Sequence, residues 1–290
     1  MIEVRDPNKL QAMIRRLKRR GRSVGFVPTM GALHDGHIAL VRAAKRENDF
    51  VVVSIFVNPT QFGPKEDFQH YPRPIGADRK RLRQAKVDLL FCPSVQAMYP
   101  EGTVTYVDFE TLPGMRGLTV GLCGRFRPGH FRGVATVVAK LFNMVMPDRA
   151  YFGAKDYQQS AVIERMIRDL GWPIQLRRMP TVREADGLAM SSRNVYLNAR
   201  ERLQARAVSQ TLFWIRDQIQ KKRRRDVAQI RKLAMANLRR NIPKIQYLEI
   251  VDAATLEPLT RSRPRMVAAL ACYVGKTRLI DNVIIPATFA

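Results

Sequence analysis

The chain has 290 residues, of which 46% are hydrophobic and 26% charged, a composition typical of a globular protein with one large or two modest domains. No apolar run approaches the roughly 20 residues that span a bilayer, and the first six residues lack the apolar core of a signal peptide. Cys92, Cys123 and Cys272 lie far apart, which argues against a disulfide framework or a zinc site and predicts reduced thiols. We therefore expect a cytoplasmic protein without a membrane segment.

The charge of the chain is its unusual property, with a net value of +25 and a pI near 10.9. Residues 200–244 contain 14 basic and three acidic residues, with a continuous basic run at 221–225. Such basicity suggests a protein that binds nucleic acid. Charge runs are more often solvated helix faces, however, and no aromatic residue lies within this run to stack bases. Nucleic acid is therefore expected as a partner only through non-specific electrostatic binding.

The first predicted elements are a helix over residues 7–20, a buried strand that begins at Val24 and a helix after residue 34. The strand is an apolar run that stops at Pro28, because proline cannot donate to a central ladder. Asp35 or Thr29 is the expected cap of the second helix, whose apolar residues supply a packing face.

The turn between this strand and this helix holds two of the four histidines in the chain. Gly31 and Gly36 let a backbone approach a ligand closely, and a helix N-terminus offers unpaired N–H groups and partial positive charge to a phosphate. His34 and His37 are three residues apart, so on a helix they share a face and reach the same phosphate. A lone histidine at a helix start is structural about as often as it is functional, but two in one turn favour a functional site.

Strand and helix patterns alternate through the first half of the chain. A continuously apolar strand at 50–57 is followed by a helix at 75–85 and a further strand at 87–92. Polar residues at 58–63 lie at the carboxyl end of a strand, the edge at which open α/β sheets bind ligands. The β-α-β-α-β order predicts an α/β fold with a Rossmann-like, doubly wound parallel sheet.

Further elements continue this pattern to residue 182 and are separated by polar loops. They are a glycine- and arginine-rich loop at 123–133, a buried helix at 134–146, a strand at 149–153, a polar segment at 155–159, a helix to about residue 170, a strand at 174–182 and a polar loop at 186–194.

Beyond residue 194 the pattern changes to long basic helices, at about 199–221 and 226–240, followed by three strand-like segments at 245–250, 266–274 and 277–282. We therefore predict a Rossmann-like domain at residues 1–183 and a smaller α+β C-terminal domain at residues 184–290.

Four polar loops follow predicted strands, at 28–37, 58–63, 153–159 and 186–193, and they belong together if the sheet is parallel. They contain histidines, lysine, arginine, amides and hydroxyls but almost no candidate nucleophile. That set suits stabilisation of phosphate charge while a substrate carboxylate attacks. Lys155 is a point charge and Arg193 a planar fork, and Ser191 and Ser192 can donate to phosphate oxygens.

A family resemblance rests on two short motifs and five longer strings. His34-Asp35-Gly36-His37 resembles the HxGH signature of the class I adenylyl-transferring superfamily, and residues 190–193 stand where that superfamily has a second phosphate-binding loop. The longer strings resemble the pantothenate synthetase family over essentially the whole chain. They are residues 27–31, 54–62, 127–133, 152–159 and 186–194.

The resemblance implies an ATP-dependent ligase that joins pantoate to β-alanine through a pantoyl adenylate, giving pantothenate, AMP and pyrophosphate. It implies Mg²⁺ with the ATP, a homodimer formed through the N-terminal domain, a catalytic domain at 1–183 and a lid-like domain at 184–290. His37, as proton donor, His34 and Lys155 are the implied catalytic residues. The implied ATP-binding residues are Met30, Gly31, Ala32, Leu33, His34, Asp35, Gly36, His37, Gly153, Ala154, Lys155, Asp156, Val182, Met190, Ser191, Ser192 and Arg193.

The same resemblance implies roles outside the ATP site. Gln61 and Gln159 bind pantoate, since amides can read its hydroxyl groups. Asp78 matches a family acidic residue near magnesium, although a single aspartate on a helix is more often structural. His130 supports the pantoate pocket, and the glycine-rich stretch at 114–123 is a candidate flap.

Two other functions remain open at this point. A cofactor nucleotidyltransferase of the same superfamily would attack ATP with a phosphate instead of a carboxylate. A nucleic-acid-binding module would use the basic helices between residues 200 and 244.

Overall fold

The computed structural model describes residues 1–64, 66–101, 104–111 and 117–286. These residues form nine β-strands and nine α-helices. The strands are β1 (Ile2–Val4), β2 (Val24–Thr29), β3 (Phe50–Ile55), β4 (Leu89–Phe91), β5 (Arg149–Gly153), β6 (Gln175–Met179), β7 (Lys244–Asp252), β8 (Arg265–Val274) and β9 (Thr277–Pro286). The helices are α1 (Pro7–Arg19), α2 (Asp35–Glu47), α3 (Ile75–Gln84), α4 (Val95–Met98), α5 (Leu122–Phe126), α6 (His130–Val145), α7 (Tyr157–Asp169), α8 (Ala199–Gln220) and α9 (Val227–Arg239).

The first six strands form one parallel sheet in the order β1-β4-β3-β2-β5-β6. The chain fills one side of the sheet with β3 and β4 and then crosses to the other side of β2 with β5 and β6. The point where the strand order reverses therefore lies between β2 and β5, and at such a point ligands bind beyond the carboxyl ends of the strands. The predicted α/β fold, with a doubly wound parallel sheet, is confirmed.

The course of β2 differs from the prediction, which ended this strand before Pro28. The strand continues to Thr29 and pairs with β3 along its length, with Pro28 opposite Ser54. On its other side, β5 pairs only with Gly25 and Phe26. The strand is therefore an edge on that side at residue 28, where a residue without an N–H group is tolerated.

The helices and strands of this sheet enclose a core of buried aliphatic side chains. Val27, Val51 and Val53 of the central strands pack with Val41 of α2 and Leu82 of α3, all of them at most 1% exposed. Burial of such side chains is worth about 1.5–3 kcal/mol each. It fixes the strand ends from which the polar loops leave the sheet.

A second, antiparallel sheet has the order β7-β8-β9, as expected for a smaller α+β region. Helices α8 and α9 pack against it, with Leu212, Ile215 and Ile230 among the buried side chains that face Leu248 and Leu270. The basic segments of α8 and α9 therefore belong to amphipathic helices with a packed apolar face.

The chain divides into two compact units. The first unit comprises residues 1–108, 127–154 and 162–180, and the second comprises residues 109–126, 155–161 and 181–290. Three segments that precede the predicted boundary between residues 183 and 184 thus belong to the second unit, namely residues 109–126, 155–161 and 181–183. The division into domains at that boundary stays a prediction. Residues 114–116 of the candidate flap lie outside the described residues.

In the part of the chain that the structure describes, no helix is long and apolar enough to cross a membrane.

Candidate active site

The loop after β2 adopts a backbone conformation that α3 stabilises. Gly31 and Ala32 have positive φ angles of 82° and 49°, a region that favours glycine and strains alanine. The buried carboxylate of Asp78 in α3 accepts the N–H of Ala32 at 2.9 Å and that of Leu33 at 2.7 Å. A Cβ atom at residue 31 would lie 3.1 Å from the same carboxylate. Asp78 therefore holds the loop in the conformation that leads into α2.

Asp78 is also the residue expected near magnesium. Burial raises the pKa of its carboxyl group above the ordinary value, although the two backbone N–H groups act in the opposite direction. Both of its oxygens already accept a hydrogen bond, and among the described residues no group of three or more His, Cys, Asp or Glu side chains could hold a metal ion. The hydrogen bonds give Asp78 a structural role in the loop, and its metal role stays a prediction.

His34 is the N-cap residue of α2, with an extended backbone at φ −124° and ψ 177°. The predicted cap, Asp35 or Thr29, is wrong for a physical reason at each position. Asp35 is already helical and pairs with Arg81 at 2.8 Å, while the Thr29 hydroxyl donates to the Ser54 carbonyl at 2.7 Å.

The structure brings His34 and His37 together at the start of α2. Their ring centroids lie 4.0 Å apart, with the ring planes tilted by 38°. The backbone N–H of His34 donates to Nδ1 of His37 at 3.3 Å. Because Nδ1 accepts, a neutral His37 carries its proton on Nε2. His37 can therefore offer an Nε2–H donor to a phosphate at the helix N-terminus.

The turn after β3 orients the side chain of Gln61. Backbone groups fix the amide of Asn58, because Thr60 N–H donates to its Oδ1 at 3.3 Å and the Gly133 carbonyl accepts from its Nδ2 at 3.2 Å. The same Nδ2 donates to Gln61 Oε1 at 3.1 Å. The nitrogen of the Gln61 amide, Nε2, therefore points away from Asn58 and donates to Met30 Sδ at 3.0 Å. The predicted meeting of the loops after β2 and β3 therefore occurs between Met30 and Gln61.

The end of β5 reaches the same edge of the parallel sheet as the end of β2, because the two strands are parallel neighbours. Gly153 is the last residue of β5, and a Cβ atom there would meet no other atom within 4 Å. Ala154 follows it and is buried. Gly153 therefore borders open space, as required of a backbone that a nucleotide approaches.

The remaining predicted site residues belong to the second unit. Asn282 Nδ2 donates to the backbone carbonyl of Lys155 at 2.6 Å, and the Lys155 ammonium group lies 4.0 Å from the Asp156 carboxylate. Gln159 lies on α7 and is half-buried. Lys155 is thus anchored through its backbone to β9, so its side chain is not needed to fix its position.

A hairpin-like loop carries Val182 and Met190. Met190 N–H donates to the Val182 carbonyl at 3.0 Å, and Arg183 forms an antiparallel bridge with Ala189. Gly187 lies at the end of this loop with φ 87°. These pairings close the base of the loop, and residues 190–193 continue directly from it.

Ser191 begins the short 3₁₀ turn at Ser192–Tyr196, and its Oγ accepts the N–H of Arg193 at 3.3 Å. The buried Asn194 donates to Glu184 at 2.7 Å and to the Ala189 carbonyl at 3.1 Å. The backbone that carries Ser191, Ser192 and Arg193 is therefore fixed at both ends.

Comparison with known proteins assigns the family. A family model described as pantoate-beta-alanine ligase matches residues 3–284. The chain belongs to the pantoate-beta-alanine ligase family. The ligase is 54% identical to a pantothenate synthetase of Moorella thermoacetica over 270 residues, which cover 92% of this chain and 93% of the relative.

Two solved structures show the same fold as this ligase. The pantothenate synthetase from Thermus thermophilus has a TM-score of 0.90 and 47% identity, with 98% of this chain and 99% of that chain covered. The pantoate-beta-alanine ligase from Francisella tularensis has a TM-score of 0.77 and 35% identity, with 98% and 97% covered. The ligase prediction is therefore confirmed over the nucleotidyltransferase alternative.

Three residues that hold the turn around Gln61 in the ligase received no individual role from the sequence motifs. Asn58 orients Gln61, and Glu66 and Arg127 form an ion pair at 2.6 Å beside the Gln61 backbone. Asn58 was detectable as an amide at the carboxyl end of a strand. Glu66 offered no comparable signal, because its role depends on a partner 61 residues away.

Proposed function

We propose that this ligase activates pantoate with ATP and then transfers the pantoyl group to β-alanine. A carboxylate oxygen of pantoate attacks the α-phosphorus, and the bond to the bridging oxygen breaks and releases pyrophosphate. The amine of β-alanine then attacks the carbonyl carbon of the pantoyl adenylate. It forms the amide, loses a proton and expels AMP, which keeps the oxygen that came from pantoate.

The close pair of His34 and His37 at the N-terminus of α2 is the observation that carries this proposal. Charge builds up on the phosphate oxygens when pyrophosphate leaves, and fixed donors aimed at such charge lower the barrier. The helix N-terminus and the Nε2–H of His37 are donors of this kind. We assign proton donation to His37 and phosphate binding to His34.

The ATP-binding residues are proposed in two sets. In the first unit they are residues 30–37, Gly153 and Ala154, and their support is the loop geometry set by Asp78 and the open space at Gly153. In the second unit they are Lys155, Asp156, Val182 and residues 190–193. The support for that set is the fixed backbone on which Lys155, Ser191 and Arg193 are carried. The Francisella tularensis relative is described as complexed with beta-gamma ATP and beta-alanine.

Pantoate is proposed to contact Gln61 and Gln159. The Gln61 amide presents an N–H donor, so it suits a hydroxyl oxygen of pantoate. The amide therefore binds the substrate and leaves the carboxylate oxygen available to attack phosphorus.

Magnesium is proposed to enter with ATP, held mainly by phosphate oxygens and water, as is usual for this ion. A bound magnesium ion would neutralise negative charge on the phosphates. No step above depends on Asp78 as its ligand.

We further propose a cytoplasmic homodimer. Three free cysteines are consistent with a reducing compartment. The family resemblance supports dimerisation through the N-terminal domain. Because α8 and α9 carry like charges that would repel each other, we propose that they stay off the dimer interface. Any nucleic acid is proposed to bind these basic helices non-specifically, through its phosphates.

The test is the fate of one oxygen atom. Pantoate labelled with ¹⁸O in its carboxylate is incubated with the enzyme, ATP, Mg²⁺ and β-alanine, and AMP is analysed by mass spectrometry. One ¹⁸O atom in AMP is expected. Pantothenate formed with unlabelled AMP, or ADP and phosphate as products, contradicts the proposal.

A further inference from the structure

The turn that contains Gln61 is held by a cluster of charged and titratable side chains from two other segments of the first unit. Arg127 binds Glu66 through two hydrogen bonds, with Nε to Oε1 and Nη2 to Oε2 both at 2.6 Å. Glu66 also accepts the N–H of Gly63 at 3.2 Å. Despite burial, which raises it, the pKa of Glu66 lies below its usual value because of Arg127. The pair is therefore ionised at neutral pH.

His130 connects this ion pair to the backbone of Gln61. Its Nε2 lies 2.8 Å from Arg127 Nη1, and its Nδ1 lies 2.9 Å from the Gln61 carbonyl oxygen. Arg127 Nη2 also donates to that oxygen at 3.3 Å. The Gln61 carbonyl is thus held by an imidazole and a guanidinium group at once.

These contacts determine the protonation of His130. A guanidinium nitrogen only donates, so Nε2 of His130 must accept. A carbonyl oxygen only accepts, so Nδ1 must carry a proton. Both conditions are met by one species, the neutral imidazole with its proton on Nδ1. His130 is 8% exposed, which limits exchange of these partners for water.

The backbone around Gln61 has little freedom to adapt if this contact is lost. Helix α6 approaches the turn so closely that a Cβ atom at residue 133 would overlap the Thr60 carbonyl and lie 2.8 Å from Gln61 Cα. The Gly133 carbonyl in turn accepts from Asn58. The position of Gln61 is therefore set jointly by α6 and by the cluster of Glu66, Arg127 and His130.

We propose that Glu66, Arg127 and His130 are positioning residues that fix Gln61 for pantoate by holding its backbone carbonyl, with His130 as the neutral Nδ1–H tautomer. This inference rests on the proposed function, because it takes Gln61 to be a pantoate-binding residue. The cluster acts on pantoate through Gln61, so it affects binding of pantoate and leaves binding of ATP unchanged.

The first test is a histidine spectrum that needs no substrate. Two-dimensional ¹⁵N NMR of the free enzyme resolves the four histidines, and the signals absent from His130→Asn identify residue 130. A protonated Nδ1 with an unprotonated Nε2 is expected near neutral pH. An Nε2–H tautomer or an imidazolium at residue 130 overturns the proposal, whatever the catalytic activity.

The second test separates positioning from general stability. His130→Asn keeps a donor near the place of Nδ1–H, whereas His130→Ala removes it. We expect His130→Ala to raise the KM for pantoate about tenfold, because the Gln61 carbonyl loses one of its two donors and keeps only Arg127, with a much smaller change in kcat and in the KM for ATP. His130→Asn should restore most of the pantoate KM. Equal effects of the two variants, or no change in the pantoate KM, overturn the proposal.

The arginine has a matched control in the same unit. Arg79 also binds a carboxylate twice, that of Glu3 at 2.8 and 2.7 Å, but contacts no predicted site residue in this pairing. Arg127→Ala should raise the pantoate KM as His130→Ala does, and Arg79→Ala should not. Similar pantoate KM values in both arginine variants overturn the proposal. If the wild-type enzyme shows no pantoate-dependent reaction, the proposed function fails, while the tautomer test still judges the geometry.

Discussion

The carboxylate of Asp78 accepts the backbone N–H of Leu33 at 2.7 Å, so a residue of α3 fixes the loop that leads into α2. Its other oxygen accepts the N–H of Ala32, whose φ of 49° is strained for a residue with a side chain. The loop that we propose binds ATP is thus held from outside by one buried carboxylate. This relationship separates two roles for Asp78, as loop anchor and as metal ligand.

Asp78→Asn tests the anchor role. The amide turns one acceptor into a donor that faces a backbone N–H, so the loop loses at least one hydrogen bond. We expect a loss of about 1–3 kcal/mol in the free energy of unfolding, measured by urea denaturation, and about tenfold or more in ATP affinity. Asp88→Asn is the control, because Asp88 accepts the Val51 N–H and binds Lys45 without contacting this loop. A changed Mg²⁺ requirement with unaltered ATP affinity would instead support the metal role.

His37→Ala should reduce turnover by about a hundredfold or more, since it removes the donor that we propose for the leaving phosphate. His37→Gln should recover part of the rate, because its side-chain amide offers a donor near the place of Nε2–H. Both variants are measured by steady-state pantothenate formation. Unchanged turnover in His37→Ala removes His37 from the mechanism.

Gln61→Glu replaces the N–H donor with an acceptor next to an anionic substrate. We expect the KM for pantoate to rise about tenfold to a hundredfold, with the KM for ATP unchanged. The control is Gln175→Glu, an exposed glutamine on β6 that binds Arg149. A pantoate KM that stays within the range of the control shows that Gln61 does not bind pantoate through its amide.

The pairing of Glu66 with Arg127 predicts a pH dependence of stability. The pKa of Glu66 is lowered in the folded state relative to the ordinary value of 4.5, so the pairing stabilises the fold above that value. The contribution is lost as the pH falls from 4.5 through the lowered pKa. The difference in unfolding free energy between the wild type and Glu66→Gln should therefore shrink on acidification. A difference that is constant or grows below pH 4.5 contradicts this assignment.

The basic run at 221–225 predicts only salt-sensitive binding of nucleic acid. Replacing Lys222, Arg223 and Arg224 with alanine should weaken retention on DNA at low salt and leave pantothenate formation unchanged. Fluorescence anisotropy with two unrelated duplexes should give equal affinities that fall steeply with salt concentration. A clear preference for one duplex would contradict the electrostatic interpretation.

Much of the fold was predictable from hydrophobic patterns. The strand at Arg149–Gly153 and the helix at Ile75–Gln84 match the predicted elements within one residue, because continuous apolar runs and clear polar breaks mark them. The strand Ile2–Val4 was not predicted, since three residues, two of them exposed, leave no periodic signal. Helix α6 begins four residues before the predicted start, because Gly129 in a left-handed conformation precedes a buried His130.

The site was predictable as a set of loops, and not as a set of contacts. The two histidines and the amides stand in short motifs, so their types and spacing predict a phosphate site. The cap of α2 by His34 depends on the ring of His37 reaching back to the His34 N–H. The orientation of Gln61 depends on Asn58, whose amide binds a carbonyl of α6 that is 75 residues distant in sequence. Contacts of this kind are decided by tertiary packing.

Exchange of labelled pyrophosphate into ATP tests the proposed adenylate chemistry most directly, since it detects reversible adenylate formation without β-alanine. The enzyme is incubated with ATP, Mg²⁺ and labelled pyrophosphate, with and without pantoate. We expect rapid exchange with pantoate and only background exchange without it. Exchange that is independent of pantoate, or absent when pantoate is present, contradicts activation of pantoate as its adenylate.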